Sequence, residues 1–491
     1  MGLSRPQDQR VSSEVGRQDY GRGQASVPDF DMYPAQVVKG IIFAVFGLVS
    51  LGLLAYAWHT GTPLKYSDER QYLEIAQNIV SGNGYQMNGH PTAYRPPVWP
   101  LVLALFLWAG LPQSLLALVP AAAMIAAALV GSVVGMKIMR APLGALAGLP
   151  VLLYPINVYT GVRLYPQALA TLLILALWWA ALRFSEDAST SSRSKILSAV
   201  AVGLIGSALA LTVPTLAFTS VAVLAWLVWR ARRETWVLVT SLCGLGAFFA
   251  PLAIWTGHNA MVFGRLVPLT TSNGLNLLIG NNASATGSSG VGVDIKKEVD
   301  ATNGMMEVEV DQSLRNAALD WIGHHPMDAV TLYFAKVLNY FSPYNAPVTA
   351  SEGSAGMRLV AIGSFLAVVL CVASRLWWRR YVPVDRSERF FLGLFIASAF
   401  VMAIYFTRTR FRQPLDSILL IEAGIGIAVA IAMLLSHRRK PADQSSLGLD
   451  GAGKATELGY PAGPTEPVEA VQPSIVPVVQ PGHSGRTGRL T

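Results

Sequence analysis

The sequence predicts an all-α polytopic membrane protein, a bundle of about 10–12 transmembrane helices with two extracytoplasmic loops. Three observations carry this. Apolar residues make up 52% of the 491-residue chain and charged residues only 13%, about half the charged share of a soluble domain. Mean hydropathy is +0.43. Apolar runs of roughly 20 residues, the length that crosses a bilayer core of about 30 Å, recur along the chain.

The apolar segments fall near 37–57, 97–110, 114–137, 143–158, 165–183, 196–214, 216–230, 236–256, 357–377, 390–406 and 414–436. Eleven crossings from an inside N-terminus would strand the C-terminus outside, so one segment among 97–158 is expected not to cross fully. Segments 97–110 and 143–158 are shorter than a normal span. The organisation that follows has five parts. Residues 1–36 form a polar cytoplasmic segment, and 37–256 a transmembrane module carrying a first loop at 58–96. Residues 257–356 are an extracytoplasmic loop region, and 357–436 are C-terminal transmembrane helices. Residues 437–491, rich in Pro, Gly, Ser and Glu without apolar periodicity, read as a disordered cytoplasmic tail. A long polar stretch ahead of 37–57 marks that helix as a retained signal anchor.

The formal charge of +8 excludes nucleic acid as a partner once its distribution is considered. Basic residues gather at helix ends: Arg230, Arg232 and Arg233; Arg375, Arg379 and Arg380; Arg438, Arg439 and Lys440. Such clusters mark cytoplasmic loops. That places 257–356, and with it 58–96, on the opposite side. Cys243 and Cys371 lie alone in apolar runs and give neither a disulfide framework nor a metal site. His324 and His325 lack a nearby Cys or spaced carboxylate, and read as a helix end before Pro326.

The first loop holds "YSDERQYLEIAQNIVSGNGY", residues 66–85. Ser67 fits an N-cap, with Asp68 and Glu69 in the first turn. Tyr72, Ile75, Ala76 and Ile79 then recur at helical spacing, and Gly82 and Gly84 end the helix. Acids at a helix start are favourable to the macrodipole without any catalytic role. Downstream, "HPTAYRPPVWPLVLALF" places Pro96, Pro97 and Pro100 ahead of the next apolar helix and forces an extended or sharply turned approach. Tyr94 and Trp99 suit an interfacial belt. Near the C-terminal end, Arg408, Arg410 and Arg412 sit at an outer helix end, where positive-inside statistics disfavour them. A bidentate guanidinium–phosphate contact accounts for them; nonspecific contact with lipid phosphates is the plainer account.

"DERQYLEIAQNIVSGNGY…PTAYRPPVWPLVLAL" resembles the first extracytoplasmic loop of the GT-C glycosyltransferases, in particular the dolichyl-phosphate-mannose-protein mannosyltransferase-like (family 39) and aminoarabinose transferase branch. "VFGRLVPLTTSNGLNLLIGNNASATG", residues 262–287, is similar to a later stretch of that family, with Asn281 and Asn282 near its end. "YFTRTRFRQPLDSILLIEAG", residues 405–424, resembles its late Arg-x-Arg-x-Pro lead-in to the last helix. The resemblance covers roughly 37–436. It departs at Gln167, where relatives often carry glutamate, and at Val213, where they often carry arginine.

The resemblance implies a GT-C type fold and transfer of a sugar from a polyprenyl-phosphate carrier to a lipid, glycan or protein acceptor. It implies inversion, at the extracytoplasmic face. Asp68 is then the first choice for the base and Glu69 the second. Arg95, Arg408, Arg410 and Arg412 become the ligands of the donor phosphate, and Tyr94, Asn281 and Asn282 belong to the substrate loops. No cofactor is expected, since a single acidic pair is a thin cage for a hard divalent ion. Abundant Ala, Gly and Arg point to a GC-rich bacterium, hence a multi-pass protein of the inner membrane with its site facing the periplasm. The alternatives are a lipid or polysaccharide flippase or transporter, and a catalytically silent GT-C-like assembly protein. A transporter would carry ionisable residues at mid-membrane, where this sequence shows chiefly Glu422.

Overall fold

Three prolines decide how the chain closes its crossing count. The computed structural model describes residues 35–62, 64–186, 192–232, 236–288, 292–345 and 354–437. Expectations for 1–34 and 438–491, including Arg438, Arg439 and Lys440, lie outside the described residues, as does Arg233. The chain begins with α1 (Ala35–Thr60), followed by α2 (Ser67–Val80) and a two-residue hairpin of β1 (Gln86–Met87) and β2 (His90–Pro91). Then come α3 (Val98–Trp108), α4 (Leu118–Met139), a 3-10 stretch at Pro142–Gly148, α5 (Leu149–Leu153) and α6 (Pro155–Thr160). Pro142 opens the 3-10 stretch, Pro150 sits in the first turn of α5, and Pro155 forces Tyr154 out of the helical region, breaking α5 from α6. The helices α7 (Gln167–Glu186), α8 (Ser192–Ala210), α9 (Ala217–Ala231) and α10 (Val237–Phe263) follow.

Eight helical stretches are long and apolar enough to cross a membrane, among the described residues. The 142–160 stretch adds a ninth pass. It runs antiparallel to α4, with Gly144 against Gly135, Gly148 against Ala128 and Gly161 against Met124. Counting α16 (Arg386–Met402, 17 residues) as a crossing gives ten among the described residues. Ten passes return the chain to the side on which it started. The segment that fails to cross is 97–110: α3 has only 11 residues, and both its ends lie on the loop face. Val98 N–H bonds the Leu211 carbonyl beyond α8, and Gln113, just past its other end, bonds Gln77 of α2.

The second loop is more ordered than its composition implies. The helices α11 (Asn273–Gly280), α12 (Lys296–Asp300), α13 (Glu307–His324) and α14 (Pro326–Tyr340) build it. The chain ends in α15 (Ala355–Trp377), α16 and α17 (Thr409–His437). Helix α11 is docked on α13 by a Gly274 N–H bond of 2.6 Å to Asp311. His324 ends α13 and Pro326 starts α14, as expected. The two loops share one face: Thr271 N–H donates to the Ala93 carbonyl at 3.1 Å.

Within the bundle α4, α7 and α17 are the most buried spans, and α1, α10 and α15 the least. The interior holds more charge than the sequence implied. Arg375, expected among the cytoplasmic charges, is fully buried; it donates to Glu388 at 2.5 Å and to the Val382 carbonyl at 2.6 Å, with Glu422 at 3.6 Å. Its position one turn inside α15 turns it toward α16 and α17 rather than out to water.

The tight seam between α4 and 142–160 gives a direct test. A Cβ on Gly148 would collide with the Ala128 carbonyl oxygen, whereas one on Gly246 meets nothing. Gly148→Ala is expected to destabilise the protein by about 1–3 kcal/mol through overpacking. Thermal unfolding in detergent should show a lower midpoint for Gly148→Ala and none of that loss for Gly246→Ala.

Candidate active site

The acidic pair divides its work. Asp68 and Glu69 are successive residues near the start of α2, so their side chains leave the helix about 100° apart. Glu69 is 1% exposed and turns inward. Its Oε2 accepts the Lys65 and Tyr66 N–H groups, each at 3.0 Å, and its Oε1 accepts Leu164 N–H at 3.2 Å. Helix α2 starts with Tyr66 as its N-cap, so Ser67 is not the cap expected of it. Glu69 serves instead by reaching back one turn to the orphan N–H groups. With both oxygens on backbone donors, Glu69 braces the chain, where the second base had been expected.

Asp68 turns the other way and stays partly exposed at the loop face. Its Oδ1 accepts Arg95 Nη2 at 2.6 Å and its Oδ2 accepts Arg410 Nη2 at 2.8 Å. All three side chains keep contact with solvent, at 22%, 16% and 24% exposed. Burial alone would raise the Asp68 carboxyl; Arg95 and Arg410 together outweigh it and hold the group below its usual 3.8.

Arg95 is aimed by its surroundings. The Gln71 amide oxygen accepts from its Nε at 2.9 Å and its Nη2 at 2.5 Å. Its guanidinium lies over the rings of Tyr72 at 5.2 Å and Tyr94 at 5.0 Å. Tyr94 is thus part of the site as the half-buried floor of Arg95. Trp99, expected at the interface, is fully buried and donates to the Leu164 carbonyl at 3.0 Å.

Arg410 arrives from the first turn of α17, 342 residues along the chain from Asp68. It lies over Tyr165 at 4.5 Å, and Tyr165 stacks on Tyr66 at 5.8 Å, whose hydroxyl meets that of Tyr159 at 2.7 Å. Arg410 Nε is buried without an acceptor among the described residues. Arg412 does not join it. Two helical residues two apart point about 200° from one another, and Arg412 is 1% exposed on the opposite side. It donates to Asp416 at 2.7 Å, to the Ser342 carbonyl at 3.0 Å and to the Tyr340 carbonyl. Arg408 lies half-buried just ahead of the helix.

Asn281 and Asn282 are also elsewhere. Asn281 donates to the Leu277 and Ile404 carbonyls and accepts Lys336 Nζ at 2.9 Å. Asn282 binds the Leu278 carbonyl and Ser284. Both are buried braces of the second loop. Lys336 completes the brace with bonds to the Gly280 and Tyr405 carbonyls, and burial pushes its ammonium down to about 8. Gln71, Tyr72, Tyr165 and Tyr66 complete the site unannounced. Tyr72 was legible only as a core residue of α2, and no motif marks the others.

No protein-family model and no curated protein matches the chain. It is similar to two crystal structures of ArnT from Cupriavidus metallidurans, one bound to undecaprenyl phosphate and one in the apo state. Identity is 15% in both, TM-scores are 0.36 and 0.37, and the alignments cover 78% of this chain and 78% and 77% of those. At that similarity the reading of the site rests on its own geometry.

The two arginines of α17 should separate by experiment. Arg412→Ala leaves Asp416 buried without its partner, an expected loss of about 3–5 kcal/mol. Arg410→Ala removes a partly solvated contact and should cost less than about 1 kcal/mol. Thermal unfolding of the two purified variants measures the difference, and equal losses would refute the division.

Proposed function

We propose that the chain is an integral membrane glycosyltransferase of GT-C type. It moves a sugar from a polyprenyl-phosphate carrier to a hydroxyl of a lipid, glycan or protein acceptor at the loop face. The observation that carries this reading is Asp68 clamped between Arg95 of its own loop and Arg410, 342 residues further along, with all three partly exposed at the loop face. A base and two phosphate-binding cations at a membrane surface are what such a transfer requires.

In this reading the acceptor oxygen attacks the anomeric carbon of the donor sugar. Its proton passes to Asp68. The carbon–oxygen bond to phosphate breaks, and its electron pair leaves on a phosphate held by Arg95 and Arg410. Attack from the face opposite the phosphate inverts the carbon. Arg410 Nε, buried without an acceptor among the described residues, offers a further donor to that phosphate.

The carrier has a place to lie. An apolar groove of about 540 Å³ is lined by Leu51, Leu54, Trp58, Phe106, Leu111 and Val119, between α1, α3 and α4. Leu111 and Val119 belong to the same apolar cluster as Tyr72, so the wall of the groove backs onto the floor of the site. A prenyl chain buried there gains roughly 0.8 kcal/mol per methylene. The bacterial inner membrane, with the loop face toward the periplasm, is the setting that fits such a donor.

Transfer from radiolabelled polyprenyl-phosphate sugars, in membranes lacking the native protein, tests this. Wild type is expected to consume one donor of a panel. Asp68→Asn should lower the rate by about 10²- to 10⁴-fold at equal expression, and Arg410→Gln should raise the donor KM. A wild-type rate from Asp68→Asn would sink the assignment.

A further inference from the structure

Glu307 opens α13 and reaches across to the first loop. One carboxylate oxygen accepts Ala93 N–H at 2.8 Å and the Thr271 hydroxyl; the other accepts the Thr92 hydroxyl at 2.7 Å. An acid in the first turn of a helix is ordinarily explained by the macrodipole alone. Here the carboxylate is spent on donors as far as 214 and 215 residues away, from two segments besides its own. The same segment is fixed on its other sides. Tyr94 N–H donates to the Thr92 hydroxyl at 3.0 Å, and the Tyr85 hydroxyl donates to the Arg95 carbonyl at 2.8 Å. Arg95 follows Ala93 by two residues. Glu307 is thus bonded to the short segment that leads directly into Arg95.

We propose that Glu307 is a positioning residue of the active site: through Thr92 and Ala93 it sets where Arg95 meets Asp68, so that the second loop governs the strength of the base carried by the first. This rests on the reading of Asp68 and Arg95 given above. Three donors converging on one group demand an acceptor-only side chain. A glutamine would turn an N–H toward one of them. Released from Glu307, the 92–95 segment carries the Arg95 guanidinium off Asp68 Oδ1, leaving Asp68 with Arg410 alone.

The groups around both carboxylates are few. Asp68 faces Arg95, Arg410, Gln71 and the rings of Tyr72, Tyr94 and Tyr165, with Glu69 turned inward. Glu307 faces Thr92, Thr271, Tyr85 and Tyr94, with Asp311 one turn along its own helix. Because the arginines lower Asp68, loss of one raises it. At a given pH more of the carboxyl is then protonated.

The test reads Asp68 directly, without sugar transfer. The full-length protein in detergent is treated with a carbodiimide and an amine trap across a pH series, and labelling of Asp68 is followed by mass spectrometry. Protonated carboxyls react, so the labelling midpoint tracks the Asp68 pKa. Glu307→Ala is expected to move that midpoint upward by about one unit, roughly a tenfold faster reaction at fixed pH above it. Arg95→Gln should move it as far, and Glu307→Gln less. Thr92→Val, which removes one donor and keeps the carboxylate, should give a smaller upward shift and serves if Glu307→Ala does not fold. Labelling of Glu74, which bonds Asn88 N–H on the far side of α2, should not change. An unchanged Asp68 midpoint in Glu307→Ala and Thr92→Val overturns the proposal. So does a parallel shift at Glu74, which would mean general loosening, or an Arg95→Gln midpoint equal to wild type. Absence of sugar transfer by the wild-type protein across the donor panel would instead refute the transferase reading, with the labelling result standing on its own.

Discussion

The carboxylate of Asp68, with one guanidinium on each oxygen, is the contact that registers the first loop against the start of α17. Arg95 belongs to the first loop and Arg410 to the start of α17, the most buried span. The contact therefore ties the most polar surface of the molecule to its most apolar interior. Being about a fifth exposed, the pair contributes less to stability than a fully buried ion pair would. Its weight is geometric. Helix α2 otherwise rests mainly on α3, itself a short helix that never crosses, so without Arg410 the first loop has little to register it against α17.

Other polar ties follow α17 along its length. Gln413 donates to Asn157 at 2.7 Å and Thr171 at 3.2 Å, Arg412 pairs with Asp416, and Glu422 lies beside Arg375. In a bilayer the lipid is as apolar as leucine, and helices gain little by merely hiding apolar faces from it. Polar contacts and close glycine approaches then supply the specificity. The Gly135–Gly144 and Gly148–Ala128 contacts do this for α4. The hydrogen-bonded residues of α17 do it for the centre of the bundle. Read this way, the buried charges of α15, α16 and α17 are fasteners, and each has a counter-charge in reach.

Much of the bundle was legible. Apolar runs located the spans, and the proline-broken 142–160 segment and the short 97–110 segment were both flagged by length. Deciding which of them crosses needed packing, because the glycines that align 142–160 on α4 carry no signal in hydropathy. The hairpin at 86–91 turns on Asn88 and Gly89, both at positive φ, a signal the Asn-Gly pair offers by itself. The site was legible in part. Asp68 and Arg95 stand out as charges beside a helix start and a proline pair. The separation of Arg410 from Arg412 follows from the helical repeat once α17 is known to begin at Thr409, a boundary composition does not fix. Asn281 and Asn282 resembled substrate ligands by motif, and only the approach of Lys336 and Ile404 shows them as braces.

An aspartate clamped by two arginines is a weak base, and that is the central tension of the site. Glu69 shows the alternative use of a carboxylate at a helix start: both its oxygens are taken by backbone N–H groups, and it holds the entry to α2 and the Leu164 backbone. Asp68 differs because its partners can be taken by something else. A phosphate oxyanion draws on the same guanidinium N–H groups, and each one it captures leaves an Asp68 oxygen buried with less positive charge beside it. Burial, the largest single influence on that carboxyl, then prevails and raises its basicity. On the proposed transferase reading, a site built this way strengthens its base only when an anionic donor is in place, which holds the carboxylate idle toward a hydroxyl that arrives alone.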